Sequence, residues 1–90
     1  MKLSWDENKR LTTLAVRGLD MADATQIFGE RHVTFLDDRF DYGEIRYLTF
    51  GFLGTRLCVV VWTERDETRR VISLRKANER EQEKFKGKLG

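Results

Sequence analysis

The hydrophobic periodicity of this chain changes at Gly29, and that change limits the folds available to it. Before Gly29, apolar residues recur every three or four positions, which is typical of amphipathic helices. After Gly29, β-branched and aromatic residues alternate with polar ones or form short continuous runs, which is typical of strands. A basic helical pattern then follows residue 78. The sequence therefore predicts an α+β fold with two N-terminal helices, a sheet and a C-terminal helix.

The helix boundaries are predicted from capping residues. Ser4-Trp5-Asp6-Glu7 has the spacing of a capping box for the first helix, which Gly18 should end. Asp20 is the expected cap of the second helix, whose apolar stripe runs over residues 21–28. The final helix should begin at Asn78, because glutamates lie early and lysines late in that segment, which complements the helix dipole.

Four strands are predicted, over residues 32–36, 45–52, 57–64 and 68–75. The last three are joined by short connections, so we expect a four-stranded antiparallel sheet with a meander. Residues 59–62 are apolar on both faces, which predicts a central strand covered on each side. We expect the helices to form one layer against this sheet, with Trp62, Val60, Phe28 and Leu14 in the core.

Length and composition exclude several classes of protein. Ninety residues form one small domain, and the boundaries expected are 1–90 with a short basic tail from about residue 86. No apolar run approaches the ~20 residues that cross a bilayer, and residues 1–6 show no signal peptide, so a cytoplasmic protein without membrane contact is expected. Cys58 and His32, the only residues of their types, cannot form a His/Cys zinc site. No metal or cofactor is predicted.

The net charge of +2 hides an asymmetry along the chain. Residues 1–67 hold nine Lys/Arg and twelve Asp/Glu, whereas residues 68–90 hold eight Lys/Arg and three Glu. The basic quarter favours an anionic partner, although a solvated basic helix would have the same composition. Strict alternation in residues 69–76 places Val71, Ser73 and Arg75 on one side of a strand. It places Arg70, Ile72, Leu74 and Lys76 on the other side.

Charged residues cluster at the ends of the predicted strands, where binding sites often lie. They are Asp37, Asp38, Arg39, Asp41, Glu44, Arg46, Glu64, Arg65, Arg70, Arg75 and Lys76, with the hydroxyl of Ser73 among them. Each charge alone is explained by exposure to solvent. Adjacent strands would nevertheless concentrate several guanidinium groups, whose planar forks of donors match phosphate, on one small sheet. This arrangement predicts a nucleic-acid-binding surface.

A series of motifs in this order resembles the BrnT family of bacterial toxins. They are Trp5-Asp6-Glu7-Asn8-Lys9, Ala24-Thr25-Gln26-Ile27-Phe28, Asp41-Tyr42-Gly43-Glu44-Ile45-Arg46, Val60-Val61-Trp62-Thr63-Glu64-Arg65, and Arg70-Val71-Ile72-Ser73-Leu74-Arg75-Lys76-Ala77 with Glu81. The resemblance covers residues 3–85. It implies a RelE-like fold and a ribonuclease toxin of a type II toxin–antitoxin module. It also implies RNA as substrate, a BrnA-like antitoxin as partner, and operator DNA bound only through that antitoxin.

The resemblance further implies a chemistry and a set of site residues. RelE-like toxins cleave RNA without a metal, by attack of a ribose 2′-OH on the adjacent phosphate. The catalytic residues would be Glu44, Arg65 and Arg75, and the substrate-binding residues Arg46, Arg70, Ser73 and Lys76. Arg65 and Arg75 would hold the scissile phosphate. Glu44 would be the catalytic carboxylate, although an Arg-paired structural carboxylate is an equal alternative.

The chain departs from the family pattern at one turn. Members typically carry Lys-His-Gly where this sequence has Val16-Arg17-Gly18. Arginine can bind phosphate but cannot shuttle protons near neutral pH as histidine does. Two functions therefore stay open at the level of sequence. One is a metal-independent endoribonuclease that inhibits translation, and the other is a non-catalytic RNA-binding or regulatory relic that acts with its antitoxin in operon repression.

Overall fold

A five-stranded mixed sheet organises the computed structural model, which describes residues 1–89. The strands are β1 (Lys2–Ser4), β2 (His32–Asp37), β3 (Arg46–Leu53), β4 (Arg56–Arg65) and β5 (Thr68–Lys76), in the spatial order β1-β5-β4-β3-β2. The helices are α1 (Glu7–Arg17), α2 (Ala24–Gly29) and α3 (Glu79–Leu89), with a 3₁₀ turn (Met21–Asp23) before α2. The predicted α+β class is confirmed.

The prediction of a four-stranded antiparallel sheet is wrong in one detail. Strands β2 to β5 are antiparallel as expected, but β1 adds a fifth strand that pairs in parallel with β5, Lys2 lying opposite Thr68 and Ser4 opposite Arg70. Three residues are too few to show an alternating pattern, so sequence periodicity cannot reveal such a strand. The N-terminus is therefore part of the sheet.

The helix boundaries follow local hydrogen bonds. Ser4 lies in β1, so the predicted Ser4 cap is wrong; the cap of α1 is Asp6, whose carboxylate accepts a hydrogen bond from the backbone N–H of Lys9. Gly18 ends α1 at a φ of +69°, as predicted from its freedom to adopt the left-handed conformation. Helix α3 continues to Leu89, so the residues expected to form a basic tail are helical up to that point, and Gly90 lies outside the described residues.

Helices cover both faces of the sheet, and the prediction of a single helical layer is wrong. On one face, here called the α2 face, Met21, Ala24 and Ile27 pack against Cys58, Val60, Trp62, Val71 and Leu74. On the opposite face, the α3 face, Phe85 and Leu89 pack against Phe50, Leu57 and Val59. Alternate residues of β4 thus enter two different cores. The expectation that β4 is central and covered on each side is confirmed.

The predicted core residues differ in their burial. Val60 and Trp62 are buried, and Phe28 is partly buried against the same cluster. Leu14 is 40% exposed, so its placement in the core is wrong. Leu11, on the same predicted stripe, and Val16 are also exposed, and no residue of α1 is buried.

A β-bulge in β5 decides which side chains share a face. Val61 lies opposite Ser73, but Trp62 lies opposite Val71, so Ile72 is the extra residue. Val71 and Leu74 therefore both enter the core of the α2 face. The strict alternation expected for residues 69–76 is wrong for this reason.

The bulge is followed by a change of side for the polar residues of β5. Ser73 lies opposite Val61 and Arg75 opposite Val59, which places both on the α3 face. Arg70 lies opposite Thr63, on that same face. The three polar side chains are thereby collected on one side of the sheet.

Replacing Gly51 by alanine is expected to destabilise the protein by about 1–3 kcal/mol, as overpacking of a filled core does. A Cβ at Gly51 would lie 2.7 Å from Cγ2 of Ile27, a fully buried side chain with no room to retreat. Denaturant unfolding would measure the change. The control is Gly87→Ala in α3, where a Cβ meets nothing within 4 Å and alanine favours the helix. Equal stability of the two variants would contradict this packing.

Candidate functional site

Glu44 lies between two guanidinium groups on the α3 face, at the end of the sheet away from the α3 core. Its Oε2 accepts a hydrogen bond from Nε of Arg46 at 2.9 Å, and its Oε1 accepts one from Nη2 of Arg65 at 3.0 Å. Arg46 opens β3 and Arg65 closes β4, so the pairing of these two strands fixes the spacing of the three groups. We call these three residues the Glu44 cluster.

The electrostatics of the Glu44 cluster favour binding of an anion. Hydrogen bonds from Arg65 and then Arg46 hold the pKa of Glu44 below its usual value, so its carboxylate is ionised at neutral pH. Within residues 1–89, Nη1 and Nη2 of Arg46 and Nε and Nη1 of Arg65 donate no hydrogen bond. Arg65 is 53% exposed. A phosphate approaching from solvent can accept hydrogen bonds from both arginines and would then lie beside the carboxylate.

A buried carboxylate is linked to the Glu44 cluster through the ring of Tyr42. Asp37, whose side chain is fully buried, accepts hydrogen bonds from Nε and Nη2 of Arg39 at 2.8 and 2.9 Å and from the Tyr42 hydroxyl at 3.2 Å. The Tyr42 ring in turn lies 4.1 Å from the guanidinium carbon of Arg46. Asp37 thus fixes the ring against which Arg46 stacks. Burial of an aspartate at a strand end has no sequence signature, and its role was not predicted.

Arg75 is committed to a second pair on the same face. Its Nη1 and Nη2 donate to Oε1 and Oε2 of Glu81 at 2.7 and 2.9 Å, which holds the pKa of Glu81 below its usual value. The Glu81 carboxylate also accepts a hydrogen bond from the backbone N–H of Asn78. In return, Oδ1 of Asn78 accepts a hydrogen bond from the backbone N–H of Glu81. This reciprocal capping box begins α3. Arg75 therefore ties β5 to the start of α3, a role that required knowledge of the tertiary structure.

The structure brings some predicted site residues together and separates others. Arg70 and Ser73 lie on the α3 face with the Glu44 cluster. Arg75 lies opposite Val59, six positions along β4 from Arg65, which corresponds to about 20 Å at the rise of a strand. Arg65 and Arg75 are consequently not placed around one phosphate.

Lys76 and His32 lie on the α2 face, away from the Glu44 cluster. Lys76 is exposed opposite Cys58, and His32 lies opposite Gly51 with its ring edge against Phe28. Arg17 donates from Nη1 to the backbone oxygen of Leu74 at 2.8 Å.

Two of the acidic residues before β3 accept hydrogen bonds within the protein. Asp37 is bound by Arg39 and Tyr42, and Asp41 accepts the backbone N–H of Gly43 at 3.0 Å. Across residues 1–89, no three His, Cys, Asp or Glu side chains gather in a group that could hold a metal ion.

No helix within residues 1–89 is long and apolar enough to cross a membrane. Cys58 is buried, and burial raises the pKa of its thiol.

The ion pair at Asp37 predicts a specific loss of stability in acid. Hydrogen bonds from Arg39 lower the pKa of Asp37 from 3.8 to about 2 in the folded protein. The ionised carboxylate therefore stabilises the fold fully above pH 3.8, and this stabilisation is lost as the pH falls to about 2. The difference in unfolding free energy between the wild type and Asp37→Asn should therefore narrow across this window. Chemical denaturation at several pH values would measure it. The control is Asp38→Asn, which changes an exposed neighbour and should affect stability little. The pairing would be contradicted if the difference in unfolding free energy between the wild type and Asp37→Asn stayed constant with pH.

Comparison with known families identifies the family of this chain. The family model described as "Ribonuclease toxin, BrnT, of type II toxin-antitoxin system" matches residues 5–81, a range that contains β2 to β5 and the whole Glu44 cluster. No curated protein matches the chain. Since the family model covers most of the chain, this protein belongs to the BrnT family of type II toxin–antitoxin ribonuclease toxins.

Proposed function

We propose that this toxin is a metal-independent endoribonuclease that inhibits translation by cutting RNA at the Glu44 cluster. The observation that carries the proposal is a carboxylate held between two guanidinium groups on an open face of the sheet. Family membership supports ribonuclease activity in general.

The proposed reaction uses the ribose 2′-OH of the RNA as nucleophile. Glu44 takes the proton of the 2′-OH, a bond forms from O2′ to phosphorus, and the bond from phosphorus to O5′ breaks. Arg46 and Arg65 donate hydrogen bonds to the non-bridging oxygens, where negative charge increases in the transition state. The face is open to solvent, so water can protonate the leaving 5′ oxygen, and the hydroxide that remains takes the proton from Glu44. The products are a 2′,3′-cyclic phosphate and a 5′-hydroxyl end.

The low pKa of Glu44 makes it a weak base in the free protein, and substrate binding can correct this. A phosphate that accepts hydrogen bonds from Arg65 and Arg46 competes with Glu44 for the same guanidinium groups. The phosphate also brings negative charge next to the carboxylate. Both effects raise the pKa of Glu44 toward its usual range and strengthen it as a base.

Other residues of the α3 face receive supporting roles. Arg70 and Ser73 are assigned to substrate binding because they lie on the same face as Glu44. Arg75 is assigned a positioning role, since its fork of donors holds Glu81 and with it the start of α3. Lys76 projects from the opposite face and is left out of the site.

The family implies an antitoxin protein as partner, and we propose that this partner is BrnA-like. It would silence the toxin by covering the α3 face and would supply the contact with operator DNA. An acidic segment suits this face, because Arg70, Arg80 and Lys84 take part in no ion pair within residues 1–89. The exposed apolar residues Leu11 and Val16 of α1 offer a second surface for the same partner.

A non-catalytic relic that binds RNA and acts with its antitoxin in operon repression is the second candidate. One observation favours it: the single histidine lies on the α2 face, so the Glu44 cluster has no imidazole to move protons. In this case RNA would bind to the wild-type protein without being cut.

Removing the charge of Arg65 or that of Glu44 should abolish most of the cutting. We expect Arg65→Ala and Glu44→Gln to lower the rate of RNA cleavage roughly 10²- to 10³-fold, the usual effect of losing one group that stabilises the transition state. Purified toxin, a labelled RNA and circular dichroism would measure rate and folding together. The control is Lys76→Ala, which removes an exposed cation from the opposite face. Wild-type cutting by folded Arg65→Ala would refute the assigned site.

Cleavage should survive chelation of metal ions. The proposed mechanism assigns stabilisation of the phosphorane to Arg46 and Arg65, so EDTA should leave the rate unchanged. Mass spectrometry of the products should show 2′,3′-cyclic phosphate and 5′-hydroxyl ends. Products with 5′-phosphate, or cutting that stops with EDTA and returns with magnesium, would instead indicate a metal-dependent nuclease.

A further inference from the structure

A cleft of about 270 Å³ opens on the α3 face between β2, β3 and α3. It is lined by Phe35, Leu48, Phe50, Arg80, Glu81, Lys84 and Phe85. Its floor is aromatic and aliphatic, and its rim is charged. Its volume lies below the ~300 Å³ at which drug-sized pockets begin, so it suits a single planar ring system.

The aromatic rings of the cleft divide into two buried rings and one open ring. Phe50 and Phe85 are buried and stack on each other with centroids 4.4 Å apart. The ring of Phe35 packs against both, with its centroid 5.4 Å from that of Phe85 and 6.1 Å from that of Phe50. Phe35 nevertheless remains 45% exposed. The buried pair fixes the orientation of Phe35. One side of a well-positioned ring is thus left available to a ligand.

The rim adds positive charge to this aromatic floor. Arg80 and Lys84 form no ion pair within residues 1–89, and Glu81 is already occupied by Arg75. The amine of Lys84 lies 5.3 Å from the centre of the Phe85 ring, at the margin of the cleft. A flat apolar floor beside free cations fits a ligand that joins an aromatic ring to an anion, as a nucleotide does.

The cleft lies beside the Glu44 cluster, because Leu48 in its lining is two residues along β3 from Arg46. Phe35 lies opposite Leu48 and Asp37 lies opposite Arg46, so Phe35 is one pleat repeat, about 7 Å, from the position of Arg46. Arg39, which binds Asp37, is close enough to contribute to lowering the pKa of Glu81. The cleft and the two arginines that flank Glu44 therefore lie on the same face of the sheet.

We propose that the cleft binds one unpaired nucleobase of the RNA substrate, stacked on Phe35, within a nucleotide or two of the phosphate held at the Glu44 cluster. This inference rests on the proposed function and adds a subsite to it. A base held in duplex RNA cannot reach Phe35, because its faces are covered by neighbouring bases. The toxin should therefore select single-stranded RNA, whose bases are free to stack on aromatic side chains.

The test is a cycle that combines a protein variant with a modified RNA. The probe is a short fluorescent 2′-O-methyl RNA, which lacks the free 2′-OH and binds without being cut, and it is prepared with a base missing at one position at a time. Binding to Phe35→Ala is compared with binding to the wild type by fluorescence anisotropy. The control is Leu36→Ala, because Leu36 is an exposed neighbour on the same strand that projects from the α2 face opposite Tyr47. Circular dichroism checks the folding of both variants.

Phe35→Ala should weaken binding of the complete RNA roughly five- to hundredfold, the range found for loss of one stacked base, whereas Leu36→Ala should not. At one position, removal of the base should weaken binding to the wild type by a similar factor. Removal of the same base should leave the affinity of Phe35→Ala almost unchanged. Additive effects at every position would overturn the base site, as would equal affinities of the two variants. Loss of antitoxin binding in Phe35→Ala with unchanged RNA binding would overturn it in favour of a protein ligand.

The cleavage assay separates failure of this inference from failure of the proposed function. A wild-type protein that binds the probe and shows the non-additive cycle but does not cut unmodified RNA would keep the base site and refute the catalytic role. A wild-type protein that cuts RNA but shows an additive cycle would keep the catalytic role and refute the base site. Absence of any RNA binding would refute both.

Discussion

The extra residue in β5 is the constraint on which the rest of the sheet depends. Without the bulge at Ile72, Val71 and Leu74 would point in opposite directions, and the α2 core would lose one of its two anchors on this strand. The same shift sets Arg70, Ser73 and Arg75 on a common face. The bulge therefore has two effects: it completes a hydrophobic core on one side of the sheet and places polar side chains together on the other.

The α3 face then illustrates how a small protein keeps many cations close together. Arg39, Arg46, Arg65 and Arg75 each have a carboxylate partner at 2.7–3.0 Å, and three carboxylates serve all four because Glu44 binds two arginines. Mutual repulsion is reduced without neutralising the surface. The partners differ in accessibility: Asp37 is buried, whereas Glu44 remains partly exposed beside free guanidinium N–H groups. Only the second arrangement leaves a carboxylate and its arginines accessible to a ligand.

Sequence patterns predicted the long elements and failed where the outcome depended on tertiary contacts. The predicted limits of the last three strands are within one residue of β3, β4 and β5, because long runs of β-branched and aromatic residues bounded by turns give a strong local signal. Strand β1 has only three residues and exists through its pairing with β5. The stripe containing Leu14 showed which side of α1 is apolar, but it carried no information on how far α1 lies from the sheet.

The candidate site shows the same division. A Glu44 paired with arginine was one of two alternatives that the sequence left open, and the family motif drew attention to Arg65. The contact between Glu44 and Arg65 depends on the register of β3 with β4, which periodicity alone does not specify. The partnership of Arg75 with Glu81 depends on where α3 meets the sheet. Sequence therefore indicated which residues matter, and the fold determined which of them act together.

The parallel pairing of β1 with β5 also has a consequence for folding during synthesis. Ser4 and Thr68, which lie within hydrogen-bonding distance at 3.5 Å, are separated by 64 positions in the chain. Strand β1 must therefore wait for β5 before it can pair, and closing so long a loop has an entropic cost that later contacts must offset. Arg65 and Arg70 lie on either side of the turn between β4 and β5, and α3 follows β5 directly. A nascent chain therefore cannot assemble its cationic face before β4, β5 and α3 have all left the ribosome.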